Sequence, residues 1–403
     1  MSLIFFITDN IKGEDMKITN LSLAAIAVVA MTTGAMAGDK GVDVKIGGQA
    51  VIYYNATDGG ASGDLFNKDG ARANAGLQLN VNGDLGNGFG LGLQGTALNT
   101  FGLENNLVSN VMQAGGGDLQ GNAGDYEAIT KAYLTKKIAN TTLKMGRQEL
   151  SKSLSPLAFT EGWNVTKNTF DAIVAINSDL PDTTLVGAFV SRTNGNGLAN
   201  DMSTFTKVGA KGAYMLTAAN KSVQNTPITV SYYELPSTGL SAVWGDVKAN
   251  KLGPVNVALQ GGTVMNDAAN SNDAKAVGAK VSSKVSGVNL SLAYSKVNAG
   301  TIDNIGTGVK TPLYTQMILN QGAIKTNNDT VVLAAAMPVG AGKIIAKYDM
   351  TTDNSVAGKD YQELDLIYKF KALGTNMLAA YVMADKDGQD KLNVVRVWTR
   401  YNF

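Results

Sequence analysis

Six charged residues between positions 147 and 171 are the best candidates for direct action on a small molecule. They are Arg147, Glu149, Lys152, Glu161, Lys167 and Asp171. The chain has no His and no Cys. Ser-His-Asp chemistry, His general-base catalysis, thiolate catalysis and Cys- or His-ligated metal sites are therefore excluded. Catalysis by carboxylates, Lys, Tyr or Ser stays open, but most enzymatic routes are closed. Acids and bases that face each other across a narrow gap would impose a transverse field, which favours polar over apolar solutes.

The composition narrows the class of protein further. The 403 residues contain 34 Lys+Arg and 33 Asp+Glu, for a net charge of +1, which argues against a nucleic-acid binder. Charged residues make up 17% of the chain, below the roughly 25% that is usual for soluble domains. The length suits two or three soluble domains or one large closed sheet. No acidic ligand spacing indicates a metal site, and we expect no cofactor.

Residues 16–37 have the pattern of a secretory signal peptide. Met16 and Lys17 form a short positive start, Leu21 to Ala30 is apolar, and a small-residue cleavage site ends at Ala37. We expect cleavage between Ala37 and Gly38. Residues 1–15 precede this complete signal and are either a leader extension or untranslated sequence placed before the true start at Met16. The apolar stretch is shorter than the roughly 20 residues of a membrane-spanning helix.

Alternation of apolar and polar residues is the dominant signal after residue 38. From Arg72 to Asn82 the odd positions are Ala, Ala, Leu, Leu and Val, and the even positions are mostly polar. The same period recurs from Val288 to Ser295 and from Glu363 to Phe370. Successive side chains of a strand point to opposite faces, so each segment predicts a strand with one apolar and one polar face. We predict about 18 such strands.

The connections between these strands alternate in length. The odd ones are mostly long, and they comprise residues 57–70, 102–125, 150–167, 194–205, 265–274 and 298–328, whereas the even ones are mostly short turns. A soluble β-sandwich does not need to sort its loops in this way. A membrane barrel has short periplasmic turns, long extracellular loops, an apolar outer face and no open sheet edge. The sequence therefore predicts an all-β fold, a transmembrane antiparallel β-barrel in residues 38–403.

Two segments resemble a known family. The last strand ends in Tyr401 and Phe403 on its apolar face, which resembles the insertion signal of Gram-negative outer-membrane barrels. The Gly-Arg-Gln of residues 146–148 and the Asn-Thr-Phe of residues 168–170 resemble the campylobacter-type major outer-membrane porins, which are OprD-like. The resemblance implies an 18-stranded homotrimeric porin that is inserted by the barrel-assembly machinery into outer-membrane lipid. It also implies that the third long loop, here near 150–167, folds inward and narrows the channel.

Alternation nominates the residues of the channel wall. The charged polar-face positions are Lys45, Arg72, Glu127, Lys131, Lys144, Lys211, Lys280, Lys347, Glu363, Asp365, Arg396 and Arg400. The six charges between 147 and 171 are the expected constriction. Strict parity places Arg147 with Leu143 and Met145 on the lipid face, so either a bulge turns it inward, which we favour, or it snorkels at the rim. Lys152 and Lys167 are alternatively solvated charges at a loop tip.

The functional hypothesis is an outer-membrane porin, not an enzyme, through which ions and small hydrophilic solutes diffuse passively. One alternative is a channel with a preference for small acids or peptides, because the predicted wall is more basic than acidic. Another is a surface barrel that acts as an adhesin through its long loops.

Overall fold

The computed structural model describes residues 43–58, 63–99, 107–108, 110–111, 126–163, 165–195, 204–268, 271–306, 310–355 and 359–403. The predicted extension 1–15, the predicted signal peptide 16–37 and the cleavage site at Ala37 and Gly38 lie outside these residues. None of the helices within the described ranges is long and apolar enough to cross a membrane.

Eighteen strands form one wall in the described part of the chain. They are β1 (Asp43–Thr57), β2 (Ala71–Gly86), β3 (Phe89–Asn99), β4 (Tyr126–Ile138), β5 (Thr141–Gln148), β6 (Phe170–Asn177), β7 (Thr183–Thr193), β8 (Ala213–Asn220) and β9 (Ile228–Leu235). They continue with β10 (Leu240–Leu252), β11 (Val255–Asn266), β12 (Ala274–Val285), β13 (Val288–Asn298), β14 (Asn328–Val339), β15 (Gly342–Asp353), β16 (Tyr361–Ala372), β17 (Thr375–Lys386) and β18 (Leu392–Asn402).

The wall closes on itself. Each strand pairs with its sequence neighbours in antiparallel fashion, and β1 also pairs with β18, from Gln49 opposite Asn402 to Thr57 opposite Val394. Two further strands of two residues, Asn110–Val111 and Thr206–Lys207, pair with β2 in parallel and with β7 in antiparallel fashion respectively. Closure pairs the backbone groups that an edge strand would expose to lipid. The predicted closed antiparallel barrel of 18 strands is confirmed.

Burial along the strands shows which face is which. In β1, Tyr53 is fully buried, whereas the adjacent Ile52 is 60% exposed. In β16, the carboxyl side chains of Glu363 and Asp365 are fully buried and Leu366 is exposed. Charged groups on the inside and large apolar groups on the outside are the reverse of a water-soluble protein. The outer face is therefore the one that contacts lipid.

The two ends of the barrel differ in their connections. At one end the strands are joined by tight turns, such as Asn87 and Gly88, whose φ angles of 51° and 76° are those of a type I′ hairpin turn. At the other end lie the long connections. The segment that leads into β8 is interrupted: Gly209 and Gly212 have φ angles of 64° and 72°, so the chain turns there and β8 begins only at Ala213.

Outward aromatic side chains lie near both ends. Phe89, Tyr368, Phe370, Tyr401 and Phe403 lie towards the end with tight turns, and Tyr54, Tyr214, Tyr232 and Tyr294 lie towards the end with long loops. Amphipathic rings at the two membrane–water interfaces are typical of outer-membrane barrels. They mark the band that the bilayer covers.

Candidate functional site

The connection between β5 and β6, residues 149–169, crosses the interior of the barrel. The backbone N–H of Leu157 donates to the Tyr233 hydroxyl of β9 at 3.1 Å. The indole of Trp163 packs edge-on against Trp398 of β18, with ring centroids 4.7 Å apart. Since β9 and β18 are halfway around the wall from each other, this β5–β6 loop spans the lumen.

The described part of the connection between β13 and β14, residues 299–306 and 310–327, also lies inside. The backbone N–H groups of Ile318 and Leu319 both donate to Oε1 of Glu363, at 3.0 and 2.9 Å. The Tyr314 hydroxyl donates to the Asp246 carboxylate of β10, and Asn320 donates to the Asp349 carboxylate of β15. This β13–β14 loop therefore covers a stretch of wall from β10 to β16.

Sequence reasoning recognised the β13–β14 connection as long but did not place it in the lumen. Its buried apolar residues were the signal that could have shown this. They are Ile302, Leu313, Met317, Ile318 and Ile324. A loop that projects into water has no reason to carry so many large apolar side chains.

The two loops are bonded to each other. The side chain of Asn304 accepts a hydrogen bond from the Phe159 N–H at 2.9 Å and donates one to the Phe159 carbonyl at 2.8 Å. The Ile305 N–H donates to the Leu157 carbonyl at 2.8 Å, and Lys152 Nζ donates to the Thr311 carbonyl at 3.2 Å. We call this pair, residues 149–169 and 299–327, the two-loop constriction.

Glu149 lies between two ammonium groups at one side of this constriction. Its two carboxylate oxygens accept from Lys131 and Lys167, each at 2.9 Å. Burial alone raises the pKa of Glu149, but attraction to these two lysines outweighs it, so the pKa lies below its ordinary value. The carboxylate is therefore ionised, and the trio carries a net charge of +1.

The pKa of Lys152 lies well below the ordinary value of a lysine. Burial lowers its pKa to about 8; attraction to Glu161 opposes this shift, and repulsion from Lys310 and Lys248 adds to it. Its Nζ also lies 4.7 Å from the centre of the Phe159 ring. Lys152 is exposed at the surface of its loop, and its Nζ donates to the Thr311 carbonyl at 3.2 Å, so the alternative of a solvated charge applies to it in part. It also applies in part to Lys167, whose side chain is 53% exposed.

Arg147 and Asp171 are not in the constriction. Arg147 pairs with Asp171 in the register of β5 and β6, and two residues further along the same strands Met145 pairs with Ile173. Met145 and Ile173 are 45% and 49% exposed on the outer face, so Arg147 and Asp171 lie on that face too. The favoured interpretation, a bulge that turns Arg147 inward, is therefore wrong. The nearest irregularity on that side lies between β6 and β7, where Asp171 pairs with Arg192 and Ala172 with Val190. The extra residue there, Ser191, turns Arg192 to the outer face beside Asp171.

Ten of the twelve predicted wall charges are on the inward face. Lys45, Arg72, Lys131, Lys144, Lys280, Lys347 and Arg400 retain exposed surface there, whereas Glu363, Asp365 and Arg396 are buried behind the loops or between side chains. Because they are buried, Glu363, Asp365 and Arg396 do not contact the water-filled passage. Sequence parity could not anticipate this, because it does not say where a loop packs.

Glu127 and Lys211 are corrections to the predicted wall. The β3–β4 register shifts between Gln94 and Gly95, so that Glu127 pairs with the outward Ala97. Parity counted from Lys131 therefore gives the wrong face for Glu127. Lys211 lies in the connection that precedes β8 and is exposed there.

The exposed charges that remain in the lumen are mostly lysines. Besides those already named, Lys248 is 48% exposed and contacts Asp246 at 3.1 Å, and the prediction missed both. The charges with exposed surface at or beside the constriction include Lys131, Lys144, Lys152, Lys167, Lys248 and Lys347 among the bases and Glu149, Glu161, Asp246 and Asp303 among the acids. Among the residues with described positions, no group of three or more acidic side chains is placed to hold a metal ion.

Comparison with known proteins agrees with this geometry. A family model described as Gram-negative porin matches residues 23–390. No curated protein sequence matches the chain. Among solved structures, OccK1 (OpdK) of Pseudomonas aeruginosa is similar with a TM-score of 0.74 at 13% identity, over 90% of this chain and 98% of that one. OccAB2 of Acinetobacter baumannii is similar with a TM-score of 0.71 at 15% identity, with the same coverage. A second OpdK structure, solved with vanillate, has a TM-score of 0.72 at 13% identity, again with the same coverage. At such low identity these structures show the shared fold alone.

Proposed function

We propose, from the premise that this chain belongs to the Gram-negative porin family, that its channel favours small anionic solutes. The family and fold make the protein an outer-membrane channel for small solutes. Permeation is passive diffusion through water, filtered by the width and the wall charge of the narrowest part. The proposal adds that the narrowest part favours solutes of negative charge.

The excess of exposed lysines around the constriction carries this proposal. Salt screens the solvent-exposed charges of the channel wall over about 8–10 Å at ordinary ionic strength. Only the charges near the narrowest part therefore act strongly on a solute. Glu149 is matched by two lysines, and Lys152 and Lys248 face the same constriction. A permeating anion is attracted at this level and a cation is repelled.

Small carboxylates are the solute class that this charge pattern suits. One similar solved structure, OpdK of Pseudomonas aeruginosa, holds vanillate, which is a small aromatic carboxylate. We extend that chemistry to this chain as part of the proposal, because ammonium groups recognise carboxylates through charge-assisted hydrogen bonds. General diffusion without charge preference is the simpler alternative.

Swelling of proteoliposomes in isosmotic solutes tests the proposal. Glucuronate, glucose and glucosamine have similar size and carry negative, zero and positive charge. We expect rates in that order, with about a twofold difference per step, since one unpaired charge at 8 Å in water contributes about 0.5 kcal/mol. Lys248→Gln should reduce the difference, and Lys136→Gln, a lysine on the outer face, should not.

Two results would overturn parts of this account. Equal rates for the three solutes would leave only a general diffusion channel. No swelling with any of them, from protein that is folded and inserted, would contradict the channel itself and favour the adhesin alternative.

The resemblance in sequence also leads us to propose a homotrimer, cleaved after Ala37 and inserted by the barrel-assembly machinery. The mass of the detergent-solubilised protein, corrected for bound detergent, would distinguish a trimer from a monomer. The mass of the mature chain would locate the cleavage site.

A further inference from the structure

A cluster of charged residues lies on the outer face of the barrel. Nε of Arg147 is 2.9 Å from Oδ1 of Asp171, and Nη2 of Arg192 is 2.6 Å from Oδ2 of the same carboxylate. Lys207 is directly opposite Arg192 in the register of the sheet and is exposed. These four residues, which we call the outer cationic cluster, contain three cations and one anion.

The cluster has unused capacity to bind an anion. Arg147 is committed: it also donates to the Ile129 carbonyl at 2.7 Å and stacks on the Phe205 ring at 3.5 Å. Arg192 is different, because its side chain is 49% exposed. A guanidinium has five N–H donors in a planar fork that matches two phosphate oxygens. With Asp171 shared between two arginines, Arg192 and Lys207 remain available.

The position of the cluster relative to the membrane identifies the partner. Arg192 follows Phe189 on β7, on the side of the long loops, and Phe189 packs on Tyr214 of β8 with ring centroids 5.2 Å apart. The exposed Ile173 lies below it on β6. Apolar and aromatic side chains therefore end just where the cations begin. That level is occupied by the headgroups of the outer leaflet.

We propose that the outer cationic cluster binds a phosphate group of an outer-leaflet lipid, the phosphorylated glycolipid of Gram-negative outer membranes. Arg192 and Lys207 hold the phosphate from the side of the loops, and Phe189 and Ile173 contact the acyl chains below it. Charge complementarity favours this occupant, because the three cations and one anion of the cluster give it a net positive charge that a phosphate neutralises.

Binding of fluorescent bisphosphorylated lipid A to the purified full chain in detergent tests the proposal. For Arg192→Gln combined with Lys207→Gln we expect Kd to rise at least about fivefold, since charge-assisted hydrogen bonds to phosphate are lost. Lys136→Gln is the matched control. Its Nζ lies 3.8 Å from the Phe89 ring on the outer face at the opposite end of the barrel, so its Kd should not change. The heat-dependent gel mobility of each variant reports whether the barrel has folded.

Several results would overturn the proposal. Unchanged affinity in the double variant, or equal affinity for lipid A without phosphates, would mean that the cluster does not bind phosphate. Displacement of lipid A by millimolar inorganic phosphate would make the ligand a free anion. Equal affinity for phosphatidylglycerol would mean that any anionic lipid suffices. If the double variant does not fold, Arg192→Gln alone, at an exposed side chain, gives the same comparison.

Discussion

Asn304 and Phe159 join the two inward loops by a pair of hydrogen bonds between one side-chain amide and one backbone peptide. Both partners are buried. Removing the amide would leave the Phe159 N–H without this partner, at a cost of about 1–3 kcal/mol. The Phe159 carbonyl would keep its second donor, Asn168 Nδ2 at 3.2 Å. This contact sets how firmly the constriction is held.

Asn304→Ala should loosen the constriction and leave the wall intact. We expect a higher mean single-channel conductance and more rapid current fluctuations in planar bilayers, because the β5–β6 loop loses a support on the far side of the lumen. The control is Asn220→Ala, which removes one hydrogen bond to Thr183 at the opposite end of the barrel. Identical conductance and noise in Asn304→Ala and in the unmodified protein would show that this contact does not hold the passage.

Trp163 should anchor the other end of the β5–β6 loop. Its ring lies against Trp398, which in turn stacks on Tyr53 with centroids 5.7 Å apart. Such pairs add about 0.5–1.5 kcal/mol beyond the area they bury. Trp163→Ala should therefore make residues 149–169 more accessible to protease added from the loop side. Tyr368→Ala, at an outward aromatic residue, is the control, and equal cleavage in both variants would contradict the anchoring role.

Lys152 should give the channel a pH dependence near pH 8. Burial lowers the pKa of this lysine to about 8, so it is charged below that pH and neutral above it. Anion preference should therefore fall as pH rises from 7 to 9, and this step should vanish in Lys152→Met. Lys167→Met should retain the step. If anion preference falls by the same amount in Lys152→Met, the pH dependence belongs to another titratable group.

Glu149 should moderate the positive charge of the constriction. Glu149→Gln keeps the shape but removes the carboxylate that accepts from Lys131 and Lys167. We expect the ratio of anion to cation permeability to rise about twofold, from the Coulomb energy of one charge near the passage. The zero-current potential before and after the change measures it. A lower ratio of anion to cation permeability in Glu149→Gln would contradict the role of Glu149 in moderating the positive charge.

Phe403 should matter for assembly more than for conduction. Its backbone exchanges two hydrogen bonds with Gly48, at 2.8 and 3.1 Å, and its ring occupies the space above that glycine. Phe403→Ala should lower the amount of folded barrel in the outer membrane several-fold and leave single-channel conductance unchanged. Tyr368→Ala again serves as control. If Phe403→Ala assembles normally, Phe403 is not part of the insertion signal.

The wall was predictable from the sequence because the period of a strand is two and does not depend on distant contacts. Lys131, Lys144 and Arg400 were placed correctly for that reason. The prediction failed where one extra residue breaks the period, as at Thr130 between Glu127 and Lys131, and where Gly209 and Gly212 turn the chain beside Lys211. Alternation also cannot show which side chain a loop covers. The burial of Glu363 depends on Ile318 and Leu319, 45 and 44 residues away.

Arg147 shows the same limit at a single residue. Parity alone placed it outward, and the argument that moved it inward assumed that charge must avoid the outer face. The structure satisfies that charge on the outer face instead, through Asp171, the Ile129 carbonyl and the Phe205 ring. Phe205 comes from a connection 58 residues further along the chain, so no local pattern could have shown this contact.

The zero-current potential across a planar bilayer that holds the purified protein, in a tenfold gradient of potassium chloride at pH 7, tests the central claim most directly. Potassium and chloride have similar mobilities in water, so the potential reports the charge of the passage. The lysine-rich constriction predicts that the dilute side becomes negative, as chloride crosses in excess. A dilute side that becomes positive would contradict the account.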